Sequence, residues 1–269
     1  MSVFWKRKIV VNVAGLVISA PKINLDVKLD VEDTPNNGTV AIYNLSENHE
    51  RQIIEKGVAI TIDAGYGDVA GRLFTGSVQR VERERERLQR ITKIAISSSD
   101  IENSKLGGYT ERTYLGAYSV RGIVNDIVTQ DLQLPLGRLD PIPEHLTVEN
   151  WVWAESSHEA LKNLLKTHKI TAYQDGDGII QFNVASKKSV IAANITLNKE
   201  NGLLESPTVT DEGIRAKSLL NPSMRIGDIV AIESNVVSGA YKIVAMTHTG
   251  SNWDGNFNTE IEAHDVDQS

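Results

Sequence analysis

Histidines, paired carboxylates and glycine-rich turns are the groups in this chain whose spacing invites a chemical reading. The segment His158-Glu159-Ala160-Leu161-Lys162 has helical patterning and begins like the arrangement in which two histidines one turn apart bind zinc. Its second ligand position is Lys162, a cation, so the set fails. His168 is about 280° away from His158 on a helix of roughly 3.6 residues per turn and does not share its face. His158 therefore reads as a helix-start residue. Asp175-Gly176-Asp177-Gly178 opens like a calcium loop, but Ile179 stands where the next oxygen ligand belongs, and Ser186 fills the place of the closing glutamate. A tight turn is the better reading.

Gly65-Tyr66-Gly67 lacks the strand-to-helix setting of a dinucleotide loop; Asp68 and Ala70 occupy the wrong places and a strand pattern follows. There is no Gly-x-Ser-x-Gly elbow and so no visible serine nucleophile. Glu260 and Glu262 share one face of a strand, as carboxylates often do on solvated strands. Trp5, Trp151, Trp153 and Trp253 offer stacking surface, and alternation puts Trp151 and Trp153 on one strand face suited to a core or an interface. No cofactor, metal or catalytic set emerges.

Composition narrows the function classes further. The chain has 269 residues, 28 Lys plus Arg against 35 Asp plus Glu, 41% hydrophobic content and a formal charge of −7. Gripping nucleic acid needs a surplus of cations, which is absent. With no cysteine, disulfides, thiolate nucleophiles, iron–sulfur clusters and thiolate zinc sites are excluded. Lys6, Arg7 and Lys8 precede an apolar run from Ile9 to Ala20, superficially the order of a signal peptide. Asn12 and Gly15 break that run, so two short strands, Ile9 to Ala14 and Leu16 to Ser19, fit better. No window reaches the roughly 18 apolar residues of a membrane span, and a soluble protein is expected.

The elements follow from hydrophobic period. Ile23 to Val31 alternates apolar and polar residues, a half-buried strand. Thr34 to Gly38 is turn chemistry, and Thr39 to Tyr43 returns as a strand. Ser46 caps a short helix that buries Ile53 and Ile54 before Gly57. Strands resume at Val58 to Ala64 and Arg72 to Val81. The character changes after Gly107-Gly108. Ser119 opens a helix whose stripe is Val120, Ile123, Val124, Ile127 and Val128. Ser156 and Glu159 form a capping box for a second helix carrying Ala160, Leu161, Leu164 and Leu165. A loop with Pro135, Pro141 and Pro143 lies between them, and Ile170 to Tyr173 pairs with Ile179 to Asn183. Beyond about Val190 strands return, with Arg225 to Asp228 turning into Ile229 to Glu233, and Tyr241 to Thr249 pairing with Phe257 to Ala263. The expected fold is mainly β with an α+β insert, divided into residues 1–105, 106–188 and 189–269.

One run stands apart. Glu82-Arg83-Glu84-Arg85-Glu86-Arg87 alternates acid and base without a gap, which in a strand puts the glutamates on one side and the arginines on the other. A protruding hairpin with its return arm from Leu88 to Ser97 is the expected geometry. Such runs usually form a solvated tip; the alternative is a loop that contacts a partner.

Several segments resemble the baseplate hub proteins of phage tails, relatives of the hub-like part of type VI secretion spikes. They are Gly15 to Pro21 leading into the alternating strand, Ala41 to Ser46, Ala64-Gly65-Tyr66 and Leu73 to Gly76, then Glu205 to Thr208, Ser218 to Pro222, Gly227-Asp228 and Tyr241 to Gly250. The resemblance implies two domains like the tail-tube β-barrel flanking the insert, and a homotrimer whose six similar barrels join a sixfold tube to a threefold spike around a DNA channel. Implied partners are other copies of the chain, the tail tube or distal tube protein, the central spike protein and other baseplate proteins, with no specific nucleic-acid binding and no membrane. The implied site is the virion tail after assembly in the host cytoplasm, and Glu82 to Arg87 is the candidate inter-subunit contact. The competing readings are a tail-associated cell-wall or polysaccharide hydrolase, in which Glu260, Glu262 or exposed tryptophans would do the work, and a glycan- or receptor-binding module.

Overall fold

The computed structural model describes residues 6–266 except 32–34, 54–56, 68, 99–108, 185–192 and 194. Trp5, Thr34, Ile54, Asp68, the Gly107-Gly108 change, Ser186 and Val190 lie outside the described residues, as do the expected boundaries near 105 and 188.

The first β-rich stretch comprises β1 (Arg7–Val13), β2 (Leu16–Ile18), β3 (Ile23–Asp30), β4 (Asn37–Tyr43), helix α1 (Glu47–Gln52), β5 (Ala59–Tyr66), β6 (Val69–Glu86) and β7 (Gln89–Ser97). Alternation in β3 buries Ile23, Leu25, Val27 and Leu29 while Asp26 and Lys28 face water. β1 and β2 form a hairpin through Ala14 and Gly15, both at positive φ, so the Lys6-to-Ala20 run is a hairpin here. At α1 the Ser46 hydroxyl accepts from the His49 amide at 3.3 Å, and Ile53 is fully buried.

The middle stretch holds β8 (Tyr109–Ser119), α2 (Val120–Asp126), which continues as a π-helical turn over Ile127–Asp131, β9 (Thr147–Ser156), α3 (Ser157–Lys166), β10 (Ile170–Gln174) and β11 (Ile180–Val184). All five residues of the stripe read from sequence, Val120 through Val128, are fully buried. The Ser119 side chain makes no cap hydrogen bond, whereas the Ser156 hydroxyl accepts from the Glu159 amide at 3.2 Å. The proline-bearing loop is pinned to β11, where Gly137 N donates to Ile180 O at 2.8 Å and Ile180 N to Pro135 O at 2.9 Å.

The last stretch contains β12 (Ile195–Leu197), β13 (Thr208–Thr210), β14 (Gly213–Leu219), β15 (Ile229–Glu233), β16 (Ser238–Ser251) and β17 (Phe257–Asp265). The fold is mainly β with an α+β insert. Its first and last stretches join in one 13-stranded sheet in which β3 pairs antiparallel with β16, from Asp30 opposite Ala245 to Asn24 opposite Ser251. They also share one apolar core, built from Ile42, Ile62, Phe74 and Ile94 on one side and Ile214, Val230, Ile243 and Ala263 on the other. The insert has its own core around α2, α3 and Trp153.

Candidate functional site

The acid–base run occupies the end of β6. Glu82 faces Lys93, Arg83 faces Thr92, Glu84 faces Ile91, Arg85 faces Arg90 and Glu86 faces Gln89 in the ladder with β7. The alternation expected from sequence holds as far as Glu86. Arg87, at φ 53°, forms the two-residue turn with Leu88, so it leaves the arginine face and the return arm starts at Gln89. A bulge at Gln79 shifts the register between Val78 and Arg80 and increases the local twist of the hairpin.

Side chains divide the hairpin into an anchored base and a free tip. Arg83 pairs with Glu50 of α1 at 3.5 Å, and the buried Glu50 carboxylate also accepts from the Thr92 hydroxyl at 3.0 Å. Glu84 pairs with Lys93 at 2.7 Å, raising the lysine pKa chiefly through that hydrogen bond; Arg80 pairs with Glu82 at 3.1 Å. Arg90 reaches Glu47 at 3.0 Å, and its amide donates to Asn44 Oδ1. Beyond this brace, Arg85 stands opposite Arg90, a like-charge cross-strand pair, and Leu88 is 91% exposed. The tip thus offers an apolar side chain among arginines.

Two short strands lie at the ends of the long sheet. Strands β2 and β13 close its path, each three residues long, with Val17 and Val209 about three-fifths exposed. Short edge strands limit unwanted pairing while leaving ladder groups open to a matched neighbour.

The insert is keyed to both β-rich stretches through the β10–β11 hairpin. Asp175 Oδ1 accepts from the amides of Asp177 and Ile179, both at 3.0 Å, and Oδ2 accepts from Gln181 Nε2 at 3.0 Å. These bonds form a turn, as expected, and occupy the oxygens a calcium ion would use. The tip packs so closely on β6 that a Cβ at Gly176 would lie 2.5 Å from the Leu73 carbonyl. Asn36 Nδ2 donates to Gln174 O at 2.6 Å from the first stretch. From the last stretch, Arg225 pairs with Asp177 at 3.2 Å, and the buried Tyr173 hydroxyl donates to Ile226 O at 3.2 Å. Burial raises the Tyr173 pKa. Sequence reading saw Asp175 to Gly178 only as a turn; side chains meeting across some 50 positions leave no periodic signal to find.

The other chemical candidates are dispersed over the fold. His158 is the second residue of α3, and no group of three His, Asp or Glu side chains among the described residues is close enough to hold a metal. Gly65 and Tyr66 end β5, where they pair with Ala70 and Val69 of β6, and Gly67 follows in the turn. Glu260 and Glu262 share an outward face of β17, where Glu260 pairs with Lys217 at 2.8 Å and Glu262 with Arg215 at 3.2 Å. They line a shallow depression of about 300 Å³ whose carboxylates are matched by cations, an ion-pair ladder tying β14 to β17. Trp151 and Trp153 meet at 4.6 Å between ring centroids and stack with Tyr114. Trp153 is buried in the insert core, whereas Trp253 is 71% exposed on the β16–β17 loop.

Comparison with known proteins agrees with this architecture. The fold is similar to the 43 kDa tail protein of prophage MuSo2 from Shewanella oneidensis, at 13% identity and TM-score 0.67, with 97% of each chain covered. It is also similar to a tail protein from Neisseria meningitidis MC58, at 10% identity, TM-score 0.67 and the same coverage. An Escherichia coli type VI secretion component described as resembling T4 tail proteins gp27 and gp5 matches at 10% identity and TM-score 0.63, covering 95% of this chain and 76% of that one. No curated protein sequence matches the chain. The profile of the family described as baseplate hub gp41 matches residues 22–263, nearly the whole sheet and all of the insert, and the chain belongs to that family.

Proposed function

We propose that this phage tail component is a structural hub that closes as a homotrimer, with residues 1–105 and 189–269 of each copy acting as two tube-like β-barrel domains and 106–188 as an insert between them. Three copies then present six β-rich units in a pseudo-sixfold ring, matching a sixfold tube on one side and a threefold spike on the other. The observation that carries this reading is the β3–β16 ladder, which welds the two β-rich stretches into one rigid sheet within a family-matched hub chain. A fixed angle between the two units is what a ring of paired units needs.

The Glu82 to Arg87 hairpin supports the reading as the contact between copies. Its base is braced by α1, while Arg85, Arg87 and Leu88 reach beyond the sheet toward a neighbour. In the acidic setting of another copy the like-charged Arg85–Arg90 pair gains carboxylate partners. Three copies carry a summed charge of about −21 (three times −7), which discourages phosphate backbones from adhering to a central bore. The role is mechanical, the ion-paired Glu260 and Glu262 bracing the sheet.

Light scattering after size exclusion, alone and with spike and tube proteins, followed by electron microscopy, tests the proposal. A threefold ring with an open centre is expected. A monomer in the assembled tail, or a ring of another order, overturns it.

A further inference from the structure

Two Asn-Gly steps occur in this chain, Asn37-Gly38 and Asn201-Gly202. Asparagine followed by glycine is open to an uncatalysed self-reaction, because a residue without Cβ leaves its amide nitrogen room to approach the preceding side-chain carbonyl carbon. The reaction needs that nitrogen and that carbonyl to be free. The fold treats the two steps oppositely.

Gly38 lies inside the sheet. Strand β4 starts at Asn37 and runs between β3 and β7, with Gly38 opposite Val27 and Ile96. Asn44 N donates to Arg90 O at 2.7 Å and Ser98 N to Asn36 O at 2.8 Å, bonds that flank the Tyr43–Ile91 and Asn37–Ser97 pairs and so fix the ladder phase. In that phase the even-numbered residues of β4 exchange both bonds with β7, which commits the Gly38 amide to the Ile96 carbonyl. Gly38 reacts only when the ladder opens.

Gly202 lies in a turn held by Asn198. Asn198 Oδ1 accepts from the amides of Glu200 at 3.0 Å and Asn201 at 2.8 Å, and its carbonyl accepts from Leu203 N at 2.9 Å. These bonds pass over the Gly202 amide; among the described residues neither that amide nor the exposed Asn201 side chain has a hydrogen-bond partner. Gly202 stands at φ 96°, its carbonyl accepting from Leu219 N at 2.8 Å. An anchored turn thus joins a free nucleophile to a free, solvated side-chain amide.

We propose that Asn201 is a site of spontaneous covalent modification, where the chain converts its own amide to a carboxylate while Asn37 is protected. The Gly202 nitrogen loses its proton to solvent hydroxide and bonds to Asn201 Cγ; the Cγ–Nδ2 bond breaks and, with a proton from water, ammonia leaves a cyclic imide. Water then opens the ring, and no oxidant or other reagent takes part. Opening at Cγ gives aspartate, whereas opening at the former main-chain carbonyl gives isoaspartate, whose backbone runs through Cβ and is one atom longer. Either product makes the chain one charge more negative than −7, beside Glu200. In isoaspartate the longer backbone breaks the bracket that joins Leu203 to Asn198 and Leu219 to Gly202.

The test ages the purified full chain at mildly alkaline pH, native in one arm and unfolded in urea in the other, and follows intact mass and peptide maps. In the native arm Asn201 should gain the mass of an amide turned acid roughly tenfold or more faster than Asn37, a gap set by ladder opening. In urea the two steps should convert at similar rates. Asn201→Gln, whose imide ring would be one atom larger, should show no gain at that position. Hydrogen exchange at the Leu203 and Leu219 amides should quicken in the isoaspartate fraction. No mass gain, a gain mapped to another residue, equal native rates at the two steps, a gap that persists in urea, or unchanged exchange in isolated isoaspartate protein overturns the proposal.

Discussion

The Tyr66 hydroxyl donates to the carbonyl of Phe257 at 3.1 Å, and the two rings meet edge to face at 5.1 Å between centroids. The end of β5 is thereby fastened to the start of β17, almost two hundred positions later. Removal of the hydroxyl alone, in Tyr66→Phe, should cost about 1 kcal/mol, because the Phe257 carbonyl loses a buried donor. Tyr66→Ala should cost roughly 3–5 kcal/mol through the cavity left behind. Urea titration with a common slope for all three proteins checks both values.

Gly176 sits where the insert touches β6. A methyl group there would lie 2.5 Å from the Leu73 carbonyl, which is backbone and has no rotamer to change. Gly176→Ala should destabilise by about 1–3 kcal/mol. Hydrogen exchange should locate the loss at the β10–β11 hairpin and leave the β14–β17 ladder protected; uniform weakening would contradict the keyed contact.

His248 is fully buried between β3 and β17, its Nδ1 2.9 Å from the Thr259 hydroxyl. Burial, helped by the charge of Arg225, pushes its pKa down to about 3 from 6.5. In that window the unfolded chain takes up a proton that the native imidazole refuses. Stability from this group is full above pH 6.5 and is lost as pH falls toward 3, with a slope approaching about 1.4 kcal/mol per unit. Asp131 and Asp228, whose pKa values burial raises, contribute in the opposite direction. His248→Gln should flatten the acid limb of a stability–pH curve; an unchanged limb would assign it to other groups.

At the hairpin tip, Leu88→Asp and Arg85→Glu change exposed side chains without breaking an ion pair of the base. Stability should stay within about 0.5 kcal/mol of the parent. Assembly into the proposed ring should fall, read as a shift toward monomer by sedimentation. Intact rings from both variants would remove the hairpin from the contact.

Local signals in the sequence located the elements well. Alternation in Ile23 to Val31, the stripe from Val120 to Val128 and the serine caps at positions 46 and 156 each describe contacts within one element, and each reappears in the structure. Arg87 escaped the same logic, because a positive φ at the turn outweighed strand alternation.

The amino-acid order by itself determined the mainly β character with an α+β insert, the absence of cysteine and so of thiol chemistry, and membership in the baseplate hub family. Tertiary structure alone decided that those stretches share one sheet through β3 and β16, and that the Asp175 to Gly178 turn is the key between insert and body. The physical reason is range. Periodicity and capping are set by neighbours a few residues apart, whereas strand pairing over more than two hundred positions depends on which buried faces and open edges meet once the chain has collapsed.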